Sequence, residues 1–473
     1  MYKSKPVQLL KSFSSHDMKD FDKFINSPFF NRNEVLIKLF SLLKKEYPDF
    51  EGSGVEREKI YFKLFNSKDF EESKLRYAFS DLSKLLEKYI MNRELEKDKV
   101  KQNLLLLEFY RTNDIEKYFS QVFDDTQKIL EQSPAKDSEY FFGKYLLEQA
   151  LFNYSSVKRD KSLDQILQDV TDNLDCYYLS KKLKFVCEMF TRQNFLNSEY
   201  KTRLLPEIMD YIRSNDFSAF PAIRVYYTAL LTLMEEEREE HFKELLELIE
   251  THASQFSTED LRDLYLMGQN YCTKKINQGN EKYLREYFSL TNVLLNKELI
   301  YEDGYIIPST FKNIVTVGLR LEEFEWTENF IYTYKEKLAP KYRENAFIYN
   351  LAWLHFFKGE YKKTLRLLSN VEYMDVYYIL DSKILLLKTY YELEEVDAFF
   401  SLIDSFYVYL RRNDLISNYQ KTICLNFVKF VKKLMRVKLG DRKAATKLIE
   451  EVKETKHVAS ISWLLKKAEE YVK

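Results

Sequence analysis

Apolar residues in this chain recur three and four positions apart, segment after segment, with polar residues between. Leu75, Phe79, Leu82, Leu85, Leu86 and Tyr89 form one such stripe, on a helix that begins near Glu71. Punctuation around the stripes is equally regular. Ser14-x-x-Asp17 has the form of a capping box and predicts a helix running to Asn26. Ser27-Pro28 ends it, because proline disfavours helical backbone in the residue before it. Asn33 caps a helix that stops before Pro48, Glu51-Gly52-Ser53-Gly54 reads as a loop, and a helix from Glu56 to Phe65 follows. Beyond residue 100 the joints are short and polar: Thr112-Asn113-Asp114, Gln132-Ser133-Pro134, Ser214-Asn215-Asp216 and Phe256-Ser257-Thr258, with Ser257-x-x-Asp260 another box-like start. Eight glutamates between Glu235 and Glu250 read as a solvated helix face.

Composition turns this pattern into a fold class. Only 9 Gly and 8 Pro occur in 473 residues, against 36 Phe and 36 Tyr. Sheets and long loops need those breakers at their turns, so an all-α chain with more than about 70% helix is expected, against a usual third. The aromatics then fill seams between helices, since a single helix cannot bury its own apolar stripe. The length exceeds what one core sustains and favours helix pairs stacked lengthwise. Three regions are expected: a helical N-terminal domain over 1–100, degenerate helix-pair repeats over 101–300, and clearer repeats with basic C-terminal helices over 301–473.

The C-terminal region repeats a turn. Gly359-Glu360-Tyr361 separates Asn345–Lys358 from Tyr361–Asn370, and equivalent turns stand at Glu322-Glu323-Phe324, 37 residues earlier, and Glu394-Glu395-Val396, 35 later. Gln278-Gly279-Asn280 and Leu439-Gly440-Asp441 are weaker echoes. Counted from Asn345, apolar or small residues fall at positions 4, 7, 8, 24 and 27 (Ile348, Leu351, Ala352, Leu368, Val371). This spacing resembles the tetratricopeptide repeat, a helix–turn–helix unit of 34 residues, most clearly between about 305 and 410; His355 and Thr364 depart from its usual residues at positions 11 and 20. The resemblance implies a right-handed solenoid of antiparallel helix pairs, with the 1–100 region as a small helical N-terminal cap. The chain is also similar to an uncharacterised family of bacterial helical-repeat proteins, through Leu9-Leu10-Lys11-Ser12-Phe13, Phe24-Ile25-Asn26-Ser27-Pro28-Phe29-Phe30-Asn31, Leu75-Arg76-Tyr77-x-x-Ser80-Asp81-Leu82 and Tyr409-Leu410-Arg411-Arg412-Asn413. That family implies no activity.

In tetratricopeptide arrays the first helix of each pair lines a concave face. Carried onto this chain, the resemblance implies a groove holding Tyr349, Asn350, Trp353 and Phe356 of the clearest repeat, Lys312 and Arg320 of the repeat before it, and Lys388 and Tyr391 of the repeat after it. Aromatics flanked by cations suit an extended peptide; the same rings could instead be core. The family's clamp for a C-terminal carboxylate is matched at Lys312 and Asn350 but not at Thr316, Asp381 or Leu385, so that clamp is not expected.

Charge and chemistry add little. The net charge is −1, which argues neither for a nucleic-acid partner nor against one, although residues 405–473 hold 16 Lys/Arg and 7 Asp/Glu. Lys429, Lys432, Lys433 and Arg436 share one face of the helix Lys421–Leu439, able to hold phosphates or an acidic partner, with a solvated face the simpler reading. Four scattered cysteines and five scattered histidines give no metal or redox spacing. The one Gly-x-Gly, Gly52–Gly54, has no strand before it. No enzyme activity, cofactor or metal is expected. The N-terminus has no apolar leader, and the longest uncharged run, Asn345–Phe357, is 13 residues, short of the ~20 a membrane span requires. A cytoplasmic scaffold or adaptor that holds a protein or peptide in the repeat groove is the expectation. The alternative is a DNA-linked regulator with a winged-helix-like segment at 56–90, offering Lys74, Arg76, Lys84 and Lys88, and a repeat region as sensor.

Overall fold

Helices account for 78% of the computed structural model, in 23 segments, and no strand occurs among the described residues. Those residues are 4–51, 56–67, 69–158, 163–196, 200–369, 376–413, 416–438 and 444–472. The scarcity of glycine and proline thus had the consequence expected of it. The turn at Leu439-Gly440-Asp441 and the Gly52–Gly54 loop lie outside the described residues.

The chain forms two compact units, Met1–Lys182 and Leu183–Lys473. The first begins with α1 (Lys5–Lys11), α2 (Ser15–Asn26), α3 (Glu34–Lys44), α4 (Arg57–Phe65) and α5 (Glu72–Glu96). The capping box is formed: Ser14 Oγ accepts from the Asp17 N–H at 3.1 Å, and the Ser14 N–H donates to Asp17 Oδ2 at 3.0 Å. Asn33 caps α3 by accepting from the Val35 N–H at 3.0 Å. These five helices close over one cluster of buried residues running from Val7 to Tyr89. All six stripe residues of α5 are inside it. Asp17 also reaches across to Arg93 near the end of α5, at 2.8 Å. The Ser14 N–H, and then Arg93, hold its carboxyl down at about 2.

Three further helices, α6 (Lys99–Thr112), α7 (Glu116–Gln132) and α8 (Ser138–Lys158), enclose a smaller cluster of Leu107, Phe119, Leu130 and Leu147. The division between the units falls within α9 (Leu163–Leu196).

The second unit continues with α10 (Leu205–Ser214), α11 (Pro221–Met234), α12 (Glu239–His252), α13 (Thr258–Asn277), α14 (Tyr283–Asn296), α15 (Pro308–Arg320) and α16 (Phe324–Thr333). Next come α17 (Pro340–Phe357), α18 (Tyr361–Leu368), α19 (Val376–Leu393) and α20 (Val396–Arg412). It ends with α21 (Asn418–Lys438), α22 (Ala445–Glu454) and α23 (Ile461–Glu469). Consecutive helices pack side by side as α11–α12, α13–α14, α15–α16, α17–α18 and α19–α20; in addition α15 touches α17, α17 touches α19, and α19 touches α21.

One cap recurs at the joints of these pairs. Glu322, Gly359 and Glu394 all have positive φ (59°, 75° and 61°), and the next N–H bonds the carbonyl five residues back at 3.0, 2.8 and 3.0 Å. Gly279-Asn280 and, in the first unit, Asp114-Ile115 do the same. This is the left-handed helix stop that glycine favours. Glutamate holds it at Glu322 and Glu394 at a conformational cost of roughly 1 kcal/mol each, so the turn is imposed by the packing of the two helices it joins. Packing is tight enough at Gly318 in α15 that a Cβ would lie 2.3 Å from Thr327 Oγ1 of α16.

The acidic run differs from its expected reading. Glu235–Glu237 precede α12 and lie in the joint before it. Glu236 pairs with Lys274 and Glu239 with Lys282, so part of the run ties neighbouring helices together instead of forming a solvated face.

Candidate functional site

The second unit carries a cleft of about 560 Å³ between the N-terminal ends of α15, α17 and α19 and the facing side of α21. Its size is that of a small-ligand or peptide side-chain site. Ser309 and Lys312 come from the first two turns of α15, Asp381 and Ile384 from the same level of α19, Tyr342 from α17 and Cys424 from α21. Helical spacing explains the match: residues three apart on each helix share a face.

Lys312 and Asp381 form an ion pair across this cleft, each side chain about one-third exposed. Lys312 Nζ also stands 5.9 Å from the centre of the Tyr349 ring. Tyr349 is buried beneath; burial, and then the Asp381 charge, push its phenol well above the ordinary range. Cys424 is buried in the wall, and burial followed by Asp381 raises its thiol to about 12. It is a neutral packing group at physiological pH, with no thiolate for chemistry. The cleft can therefore offer apolar walls and two opposite charges, a set suited to binding.

The groove residues expected from the sequence divide among four settings. Lys312 lines the cleft and Tyr349 underlies it. Asn350 is 1% exposed and gives its amide N–H to the Ala346 carbonyl at 2.7 Å, so it has no face toward a ligand. Trp353, Phe356, Lys388 and Tyr391 lie further along α17 and α19, where the C-terminal helices cover them. The Lys388 amine sits 4.6, 5.0 and 5.2 Å from the rings of Trp353, Phe356 and Trp463. It is 3% exposed and makes no ion pair among the described residues. Burial drags it down to about 7, opposed by Glu392. Trp463 donates to Glu392 at 3.2 Å, Lys467 pairs with Glu392 at 3.1 Å, and the Tyr391 and Tyr471 hydroxyls are 3.2 Å apart. Arg320 stays outside this cluster, in an ion pair with Glu281 at 3.1 Å.

On α21, Lys429 and Arg436 are exposed and Lys432 is half-buried, while Lys433 pairs with Glu451 of α22. One of the four cations is thus engaged in an ion pair with the next helix. In the 56–90 segment, α4 and α5 pack into the N-terminal cluster. Lys74 pairs with Glu71 at 2.6 Å, Lys84 with Asp81 at 2.9 Å, and Lys88 lies 5.2 Å from the Phe30 ring. All four cysteines are buried and free, and among the described residues no group of three His, Cys, Asp or Glu could hold a metal. Among the same residues, no helix is long and apolar enough to cross a membrane.

Sequence reasoning missed Tyr342 and Cys424. Cys424 reaches the cleft because α21 returns across the first helices, a long-range event with no local signature. No family model, curated protein or solved structure matches this chain.

Proposed function

We propose that this protein is a scaffold or adaptor that holds a segment of another protein in the cleft between α15, α17, α19 and α21. In this reading the chain beyond residue 100 is a right-handed solenoid of antiparallel helix pairs resembling tetratricopeptide repeats, preceded by a small helical N-terminal domain over 1–100. The protein works in the bacterial cytoplasm and performs no catalysis. The observation that carries the reading is the cleft itself: it gathers the same face of successive first helices and keeps an ion pair within reach of solvent at its wall. The recurring helix stop at Glu322, Gly359 and Glu394 supports the repeat assignment.

The ligand chemistry follows from the lining. An extended peptide would lay an apolar side chain against Ile384 and neighbouring walls and place a charged group beside Lys312 or Asp381. Selection of displayed random peptides on the full chain tests this. Enriched peptides should lose at least ten-fold in affinity on Asp381→Lys and on Ile384→Glu, about 1.4 kcal/mol or more each. Peptides that bind both variants as well as the native chain would retire the cleft as the site.

A further inference from the structure

Helix α6 reads Lys99-Val-Lys-Gln-Asn-Leu-Leu-Leu-Leu-Glu-Phe-Tyr-Arg-Thr112, and it is apolar on two opposite faces. One face is used. Asn103 and Leu107 are buried, Val100, Leu104 and Tyr110 pack around them, and Asn103 donates to Thr126 of α7 at 2.9 Å. The other face is not. Leu105 is 60% exposed, Leu106 38% and Phe109 56%, with Tyr118 of α7 at 50%. Leu105, Leu106 and Phe109 follow half-buried Gln102 at three, four and seven positions, which makes them one continuous stripe along the helix. Tyr110 bridges the stripe to Tyr118, its ring 6.0 Å from each of Phe109 and Tyr118. A contiguous apolar patch of this kind on a folded surface marks a contact site.

The charges around the stripe decide what covers it. Lys101 pairs with Asp98 at 2.9 Å, Arg111 with Glu108 at 2.7 Å, and Lys117 lies beside the Tyr118 ring. Both signs alternate along the rim. A rim of one sign would suit an oppositely charged partner or an anionic lipid surface and would repel its own copy. A mixed rim is complementary to itself, which is what a two-fold contact demands, because the same patch meets itself.

We propose that the Leu105–Leu106–Phe109–Tyr118 face is a homodimer seam in which α6 of one chain packs against α6 of a second copy. The helix is 14 residues long, ~21 Å at 1.5 Å per residue. The exposed parts of these four side chains come to roughly 400 Å² on each copy, ~800 Å² in total, the size of a weak, transient contact. A contact of this size fits monomer–dimer exchange at micromolar concentrations or above in place of a permanent dimer. This inference stands on α6 and Tyr118 of α7 and is independent of the cleft.

Sedimentation equilibrium of the full chain from about 1 to 100 µM tests it. The native chain should shift from monomer to dimer across that range. Phe109→Glu places like charges against each other at the seam and should leave the chain monomeric throughout, with its circular-dichroism spectrum unchanged, since Phe109 faces solvent in the single chain. Glu108→Lys makes the rim predominantly cationic and should weaken dimerisation at least ten-fold, with recovery as salt is added. A native chain that stays monomeric at the highest concentration overturns the proposal. So does a dimer that persists unaltered in both variants, because it would use another surface.

Discussion

Helices α6 and α17 each carry large apolar residues around most of their circumference, yet the two end in opposite states. Around α17 the chain supplies α15, α16, α18 and α19 as neighbours, and α23 packs Trp463 against the cluster that holds Ala352 and Phe356. Tyr349, Leu351, Leu354 and Phe356 are all buried, and Tyr342 and Phe357, at 39% each, are the most exposed of its large aromatic and aliphatic side chains. Around α6 the chain supplies α5, α7 and α8, which cover one face and leave Leu105 and Phe109 more than half exposed. A helix that is apolar all round demands burial, but the demand does not say whether the same chain meets it. In α17 it is met internally, and residues that looked like a binding surface become core. In α6 it is left open.

The largest expected effect breaks that comparison most directly. Trp353→Ala should cost about 2–4 kcal/mol, a cavity beside Phe356 and Lys388, whereas Phe109→Ala, measured at submicromolar chain concentration, should move stability by less than ~0.5 kcal/mol. Thermal or denaturant melts of the two variants decide it; equal losses would mean that the α6 face is covered within a single chain.

Next is the joint that lets α17 be surrounded. Gly359→Val should cost about 1–3 kcal/mol, because φ is +75° while a Cβ there would meet nothing within 4 Å, so the strain is wholly in the backbone. A melting curve matching the native one would show the turn to be free to rearrange.

A third variant probes what the burial around α17 costs. Lys388→Met should stabilise by about 1–2 kcal/mol near neutral pH, since an apolar group replaces an amine held among three rings. The amine titrates at about 7 when folded and near 10.5 when unfolded. The unfolded chain therefore binds more protons between those values, and this group makes native stability rise with pH from about 7 toward 10.5. Denaturant titrations at several pH values should show that slope in the native chain and a flatter one in the variant.

The smallest effect belongs to the N-terminal cluster. Asp17→Asn should lose about 1 kcal/mol at neutral pH, from the cap and the Arg93 contact together. With its carboxyl at about 2 folded against 3.8 unfolded, the Asp17 contribution is present above about 4 and disappears as pH falls through 2. The gap between native and variant should close over that window in acid-unfolding curves.

Much of this molecule was legible along the chain because it is decided within a few residues. The Ser14–Asp17 box, the Asn33 cap, the stop at Ser27-Pro28 and the joints at Asn113, Ser133, Asn215 and Ser257 depend on contacts between near neighbours. The repeated turn at Glu322, Gly359 and Glu394 was likewise visible as a spacing. The groove was less so. Tyr349, Asn350, Phe356 and Tyr391 all fall within the first helix of a pair, but burial at Tyr391 brings in Lys438 of α21 and Trp463 of α23, 47 and 72 residues further along the chain. Local pattern determines that a helix forms, where it stops and which side chains share a face, because those follow from backbone geometry and from neighbours three and four residues away. The tertiary structure alone decided that Lys312 and Asp381, 69 residues apart, meet across a cleft, that Lys388 is enclosed by three rings from two other helices, and that one face of α6 is left uncovered. Each of these depends on which distant helix arrives at a given face, and the periodicity of a single helix carries no record of its neighbours.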